Sequence, residues 1–165
     1  MSALDVVLAT LAGEFSDLSN VEMGTRVTVR LVLAALLGGL LGYERESRGQ
    51  AAGIRTHMLV TLGACLFVLV PEQSGAMEDA MSRVIQGVVA GVGFLCAGTI
   101  LKGDGISQVR GLTTAAGLWL TAAMGVAVGL GFEATALLST VLALFILHTV
   151  PRFLERRVEE ESEPD

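Results

Sequence analysis

The sequence predicts an all-α membrane protein, a polytopic bundle of five transmembrane helices preceded by a short N-terminal amphipathic helix. Of its 165 residues, 52% are hydrophobic, and the mean hydropathy is +0.65. Soluble domains are less apolar than this. The apolar runs lie between residues 25 and 150, and the short polar breaks between them hold most of the arginines. We therefore expect a single membrane domain.

Residues 1–22 form the first predicted segment. They contain no Lys or Arg, and acidic residues interrupt their apolar positions, so they do not resemble a cleaved signal peptide. The apolar positions recur at spacings of three and four, which favours an amphipathic helix at the interface or against the other helices. These positions are Leu4, Leu8, Leu11, Phe15 and Leu18.

The membrane domain is expected over residues 23–151. A span needs about 20 predominantly apolar residues to cross about 30 Å of hydrocarbon. Five stretches meet this requirement, the first two at its short end: residues 26–43, 54–70, 83–101, 112–130 and 132–150. Residues 152–165 are rich in charge, and we expect them to form a disordered cytoplasmic tail.

The basic residues predict the orientation, because Lys and Arg in short loops stay on the cytoplasmic side. One side of the predicted membrane receives Arg45, Arg48, Arg55, Lys102, Arg110, Arg152, Arg156 and Arg157. The other side receives only Arg26, Arg30 and Arg83. This places the N-terminus outside and the C-terminus in the cytoplasm. A sixth span within residues 1–18 would change only the side of the N-terminus.

Several classes of function find no support in the sequence. The net charge is -6, and no basic face with interleaved aromatic residues is present, so nucleic-acid binding is not expected. Cys65 and Cys96 lie in apolar runs without the spacing of metal ligands. No nucleophile with a neighbouring base, phosphate-binding loop or zinc motif occurs, so we predict no catalytic residues, no metal site, no cofactor and no enzyme activity.

Glycines at four-residue spacing mark predicted helix-packing faces. Small residues at this spacing let helices approach closely in lipid. A glycine-lined pore or cleft is the alternative. The predicted packing positions are Gly38, Gly42, Gly87, Gly91, Gly98, Gly125 and Gly129.

Polar side chains within the spans are predicted to face the bundle interior. In the second span, His57, Thr61 and Cys65 share one helix face. His57 is either a functional titratable group or a cap that bonds a neighbouring loop. On the outer side, we expect Arg30, Arg83 and Gln86 to be buried and Arg30 to approach Gln86, although an arginine at that depth also reaches the headgroups by snorkelling.

The break after the first span carries the densest set of reactive side chains. Together with the start of the fourth span it gives a candidate functional cluster: Glu44, Arg45, Arg55, Thr56, His57, Arg110, Thr113 and Thr114. Glu44 and Asp104 are expected to neutralise the nearby cations and to hold two loops together; these cations are Arg45, Arg55, Lys102 and Arg110. The alternative is that these cations only set topology and carry ordinary counter-ions.

Five motifs share one resemblance. They are RL at residues 30–31, GYERE at 42–46, AGIRTHMLV at 52–60, GVGFLCAG at 91–98, and RGLTTAA at 110–116 with Trp119 following. In this order and spacing they resemble the membrane domain of the MgtC/SapB family. Longer members add a soluble C-terminal domain, so the resemblance implies a chain with the membrane domain alone.

The resemblance implies a bacterial inner-membrane protein linked to magnesium homeostasis, to growth under low magnesium and, in pathogens, to virulence and survival inside host cells. It also implies the regulation of other membrane proteins. We therefore predict a non-enzymatic protein in the lipid bilayer that forms a homo-oligomer and binds or regulates membrane partners. The alternative is a small transporter or channel with a polar path near His57, Thr61, Gln86 and Thr114. A magnesium path through one protomer is not expected, because the spans contain almost no acidic residues.

Overall fold

The computed structural model describes residues 2–18, 20–102 and 109–162, with side chains for residues 2–16, 18, 20–100 and 110–150. The elements in this part of the chain are α1 (Ala3–Glu14), a 3-10 turn (Ser16–Leu18), α2 (Val21–Ser47), α3 (Ile54–Gln73), α4 (Glu78–Thr99), β1 (Leu101–Lys102), β2 (Val109–Arg110), α5 (Leu112–Gly129) and α6 (Glu133–Ser162). Helices α2 to α5 and residues Glu133–Val150 of α6 are long and apolar enough to span a membrane. The prediction of five spans is confirmed.

Helix α1 precedes this bundle, and a short ribbon of β1 and β2 lies between two of its helices. Helix α1 begins with a capping box, in which the Ser2 backbone N–H donates to Asp5 Oδ2 at 2.7 Å and the Asp5 N–H donates to Ser2 Oγ at 3.2 Å. No residue of α1 is buried, so this helix does not pack into the bundle. The strands β1 and β2 pair antiparallel, with Leu101 opposite Arg110, and add a two-stranded ribbon between α4 and α5.

Several helix ends differ from the predicted boundaries; for example, α4 starts at Glu78, five residues before the predicted span, and α2 ends at Ser47, four residues after it. Helix α2 starts five residues before the predicted span, because the Asn20 side chain accepts the Glu22 N–H at 2.9 Å and caps the helix. Helix α6 continues to Ser162, across the predicted boundary at residue 151. The division into an N-terminal segment, a membrane domain and a tail stays a prediction.

Helix α3 lies at the centre of the bundle, between α2 and α5. It runs antiparallel to α2, since Gly38 lies against His57 and Gly42 against Ile54. It runs parallel to α5, where two glycines lie against successive turns of α3. The main core is built by α2, α3, α5 and α6 and contains Val27, Ala34, Leu37, Leu41, Cys65, Leu69, Met124, Val128, Ala136 and Ala143. Helix α4 packs on α5 and buries only Val92.

Candidate functional site

Four of the seven predicted packing glycines lie where no side chain fits. A Cβ at Gly42 would lie 2.6 Å from Ile54 Cα, and a Cβ at Gly38 would lie 2.6 Å from the His57 carbonyl oxygen. Gly125 and Gly129 meet the other side of α3, with a Cβ at Gly129 only 2.7 Å from the Cys65 carbonyl oxygen. Helix α3 is therefore held at close backbone distance on two sides.

The three predicted glycines of α4 have a different environment. A Cβ at Gly87, Gly91 or Gly98 would meet no atom within 4 Å. All three residues are exposed in the single chain. Of the five spans, α4 thus buries the smallest share of its residues although it carries four glycines.

One end of the bundle gathers many of the arginines, and we call it the arginine-rich end, defined by Arg45, Arg48, Arg55 and Arg110. Its centre is the Glu44 carboxylate, whose Oε2 lies 2.9 Å from Arg45 Nε and whose Oε1 lies 2.5 Å from Arg48 Nε. Neither contact has the direction of a hydrogen bond, so both act through charge. The pairing of Glu44 with Arg45 was predicted, but the pairing with Arg48 was not, although an acid and a base four residues apart on a helix are the signal for such a pair.

His57 and Arg45 are buried side by side beneath α5. His57 Nδ1 lies 3.0 Å from the Gly53 carbonyl oxygen. Its Nε2 and the Nη1 of Arg45 are buried and have no hydrogen-bond partner among the described residues. Gly117 covers both, since a Cβ there would lie 3.8 Å from His57 Nε2 and 4.0 Å from Arg45 Cδ.

Two other buried polar side chains, those of Thr61 and Thr114, have hydrogen-bond partners. The Thr61 hydroxyl donates to the His57 carbonyl at 2.7 Å, and the Thr114 hydroxyl donates to Gln50 Oε1 at 3.0 Å. The second bond joins the loop after α2 to the first turn of α5. Gln50 was missed in the sequence analysis, because an amide in a loop gives no signal of its own.

The predicted cluster is only partly brought together. Four of its members are buried or half-buried, namely Glu44, Arg45, His57 and Thr114. The other four are exposed: Arg55, Thr56, Arg110 and Thr113. The predicted role of Asp104 falls outside the described residues, and the side chain of Lys102 is also outside them.

The opposite end of the bundle is organised by Arg30. Its Nη1 donates to Glu72 Oε2 and to the Gly129 carbonyl oxygen, both at 2.9 Å, and its Nε lies 3.5 Å from Glu133 Oε1. The side chain of Arg30 is 10% exposed. These contacts join α2 to α3, α5 and α6 in one ion-pair cluster.

The structure corrects two expectations on this side. Arg83 and Gln86 were expected to be buried, and both are exposed, because α4 turns them away from the bundle. Arg30 pairs with Glu72 and Glu133 rather than with Gln86. On sequence alone, Glu133 falls at a span end and Glu72 in a loop. Neither position indicates which helix lies beside it.

A groove of about 1020 Å³ separates α3 from α4. We call it the α3/α4 groove, and its lining is apolar except at one end, where Arg55 and Thr56 stand. Gly63 of α3 and Gly87 and Gly91 of α4 lie along it. The groove exists because both helices pack on α5 and touch one another little.

A comparison with protein families matches residues 31–156 to the MgtC family. The chain belongs to the MgtC family. The match begins directly after Arg30 and covers the rest of α2, all of α3 to α5 and most of α6, so it includes the arginine-rich end and the α3/α4 groove.

Three similar proteins differ in the share of their length that this chain covers. The chain is 46% identical over 132 residues to protein SrpB of Synechococcus elongatus, covering 73% of this chain and 72% of that protein. It is 39% identical over 132 residues to the putative magnesium transporter YhiD of Escherichia coli, covering 76% of this chain and 60% of YhiD. It is 43% identical over 116 residues to protein MgtC of Salmonella typhimurium, covering 70% of this chain and 48% of MgtC. No solved structure matches the chain.

The described residues offer no group of three or more His, Cys, Asp or Glu side chains that could hold a metal ion. The buried charges in that part of the chain are the guanidinium groups of Arg30 and Arg45, which repel a divalent cation. The acidic partners Glu44, Glu72 and Glu133 are each engaged by these arginines.

Proposed function

We propose that this MgtC-family protein acts without catalysis, by binding the transmembrane helix of another membrane protein through α4. The observation that carries the proposal is the state of α4: it buries only Val92, and its glycines meet open space. Helices in lipid associate through small residues, because the bilayer removes the hydrophobic incentive that operates in water. Helix α4 keeps such residues available, whereas α2 and α5 use Gly38, Gly42, Gly125 and Gly129 inside the bundle.

The binding surface we propose is the outer α4 face, formed by Gln86, Ala90, Gly93 and Ala97. These residues recur at spacings of four, three and four, which places them on one side of the helix. All four are exposed in the single chain. Gln86 adds a polar group that pairs with a partner's polar side chain within the membrane. A second copy of the chain and a different membrane protein both meet this description, and we propose that the protein self-associates as well as regulating partners.

The proposed setting is the bacterial inner membrane, with the arginine-rich end in the cytoplasm and the N-terminus outside. The positions of Arg45, Arg48, Arg55 and Arg110 support this orientation, since they lie at one end of the bundle. A link to adaptation to low magnesium rests on the family resemblance and on one relative, YhiD of Escherichia coli, whose name describes it as a putative magnesium transporter.

The transporter alternative has weaker support. His57 and Thr61 are fully buried, and the close packing of Gly38 and Gly125 against α3 seals this polar stripe on two sides. Gln86 lies on the outer α4 face, away from them. The polar groups predicted to form a path are therefore not contiguous within one protomer.

Cysteine crosslinking in native membranes tests the proposal. In a chain carrying Cys65→Ala and Cys96→Ser, we expect Gly93→Cys or Ala97→Cys to give crosslinked species, because the outer α4 face meets a partner helix. Leu138→Cys is the matched control, since Leu138 is 60% exposed on α6 outside that face. Gly93→Leu should abolish co-isolation of the crosslinked partner.

Equal crosslinking at Leu138→Cys would contradict the proposal. Solute flux into liposomes that contain the purified protein, lost in His57→Ala and retained in Gly93→Leu, would favour the transporter instead.

A further inference from the structure

We propose that the α3/α4 groove binds one anionic phospholipid, with its headgroup phosphate at Arg55 and an acyl chain along the groove. The site is separate from the outer α4 face, because the groove residues of α4, such as Gly91 and Leu95, lie on the opposite side of the helix from Gly93. The inference therefore stands whether or not α4 binds a partner.

The mouth of the groove carries Arg55, and no acid is among the described residues that line the groove. Arg55 is exposed, is the one charged residue in the described lining, and forms no ion pair with another described residue. The two acids nearby are engaged: Glu44 lies against Arg45 and Arg48, and Glu46 Oε2 accepts the Ile54 N–H at 2.9 Å. Basic pockets between transmembrane helices on the cytoplasmic side favour anionic lipid headgroups.

Arg55 also stands in the first turn of α3, beside Thr56. The N–H groups of a first helical turn point toward an anion placed there, and the helix dipole favours negative charge. A phosphate at this position meets the guanidinium, the Thr56 hydroxyl and the N–H groups of Arg55 and Thr56, because the other two N–H groups of the turn already donate to Glu46 and to the Gly53 carbonyl oxygen. Arginine suits this task because its planar donors match phosphate oxygens.

The body of the groove suits hydrocarbon. Its remaining lining is apolar. Gly63, Gly87 and Gly91 keep it open because they carry no side chain, and a Cβ built at any of them would meet no atom within 4 Å. From Arg55 to Phe67 the groove follows α3 for roughly 18 Å at the helical rise per residue. That length matches one leaflet, about 15 Å of hydrocarbon, and not the full thickness that a spanning helix must cross.

Lipid titration of the full-length protein in detergent, followed by native mass spectrometry, tests the site. We expect one phosphatidylglycerol to bind more tightly than phosphatidylcholine. Arg55→Gln should weaken phosphatidylglycerol binding about fivefold, the worth of one arginine near an anionic headgroup, and Arg55→Lys should recover part of it. Gly91→Leu should reduce binding of both lipids, because its side chain fills the groove without displacing any atom.

Two matched controls distinguish the site from general effects. Arg83→Gln removes an exposed arginine outside the groove lining, and Gly93→Leu adds the same bulk on the outer α4 face; both should leave lipid binding unchanged. Equal binding by wild type and Arg55→Gln, or equal loss in Arg83→Gln, would overturn the proposal. A crosslink between copies at Leu59→Cys would also overturn it by assigning the groove to a second copy of the chain. Thermal unfolding of each variant checks that the fold is retained.

Discussion

Arg30 shows how one residue ties a membrane bundle together. A buried guanidinium in hydrocarbon is stable only if charges and hydrogen bonds surround it. Two carboxylates and the Gly129 carbonyl meet this need, and they come from three other helices. Gly131 completes the arrangement: it adopts φ +85°, and a Cβ there would collide with Arg30 Nη2. Only glycine combines that backbone conformation with that close approach.

We predict that Arg30→Gln lowers the free energy of unfolding in detergent by about 3 kcal/mol. Removing one partner of a buried ion pair leaves the others without compensation, and the partial exposure of Glu72 and Glu133 keeps the loss near the lower end of the usual range. Arg26→Gln is the control, since Arg26 lies one turn away and pairs with Glu22 at 2.9 Å with both side chains exposed. Such a surface pair contributes less than about 0.5 kcal/mol. Denaturant titration of the two variants would contradict the assignment if their losses were equal.

At the scale of the helix, the glycines of α2 and α5 that face α3 and the glycines of α4 serve different purposes. Helices α2 and α5 pack closely on two sides of α3. Atoms of α3 already occupy the space where a Cβ would lie at four glycines: Gly38, Gly42, Gly125 and Gly129. Helix α4 leaves Gly87 and Gly91 open to the groove. The same four-residue spacing therefore marks internal packing in one case and an unfilled surface in the other.

Alanine substitution should separate these two uses. We predict that Gly125→Ala destabilises the protein by about 2 kcal/mol, because the added Cβ would lie 2.9 Å from Ala64 Cβ and force the helices apart. Gly91→Ala should leave stability unchanged or raise it by up to about 1 kcal/mol, because alanine favours the helix and meets no neighbour. Thermal unfolding in one detergent measures both. Equal destabilisation would show that Gly91 is also packed.

The sequence could predict the spans but not their lateral order. Hydropathy and the arginine-bearing breaks gave five helices close to those observed, because both depend on the bilayer and act along the chain. The burial of His57 and Thr61 followed in the same way from a polar stripe that must avoid lipid. The partners of Arg30 could not follow, because Glu72 and Glu133 become its neighbours only when α3 and α6 take their places beside α2.

The expectation for Gln86 failed for the same physical reason. A polar residue within a span was taken to face the interior, but α4 packs on α5 through Val92 and leaves Gln86 outward. Periodicity identifies which residues share a face and does not identify which face a neighbour covers. The burial of Gln86 was therefore predicted wrongly. Because α4 turns this residue outward, Gln86 belongs to the outer α4 face, which we propose as the binding surface.

For the whole molecule, charge is divided between the two ends of the bundle in different ways. The arginine-rich end keeps several cations exposed around one bridging carboxylate, whereas the opposite end buries its arginine among two acids. Lys and Arg in short loops favour the cytoplasmic side, and acidic residues contribute little to orientation. The distribution thus favours one orientation even though the net charge of the chain is -6.

This orientation gives a prediction for two serines in equivalent local settings. Ser47 ends α2 and donates to the Glu44 carbonyl, and Ser74 follows α3 and donates to the Val70 carbonyl; both are exposed. In a Cys65→Ala, Cys96→Ser chain, a membrane-impermeant maleimide should label Ser74→Cys in intact cells and Ser47→Cys only after permeabilisation. The 20-residue α3 separates the two sites by about 30 Å, the full hydrocarbon thickness, so a single side cannot hold both. The reverse labelling pattern would invert the orientation, and with it the leaflet that supplies a lipid to Arg55.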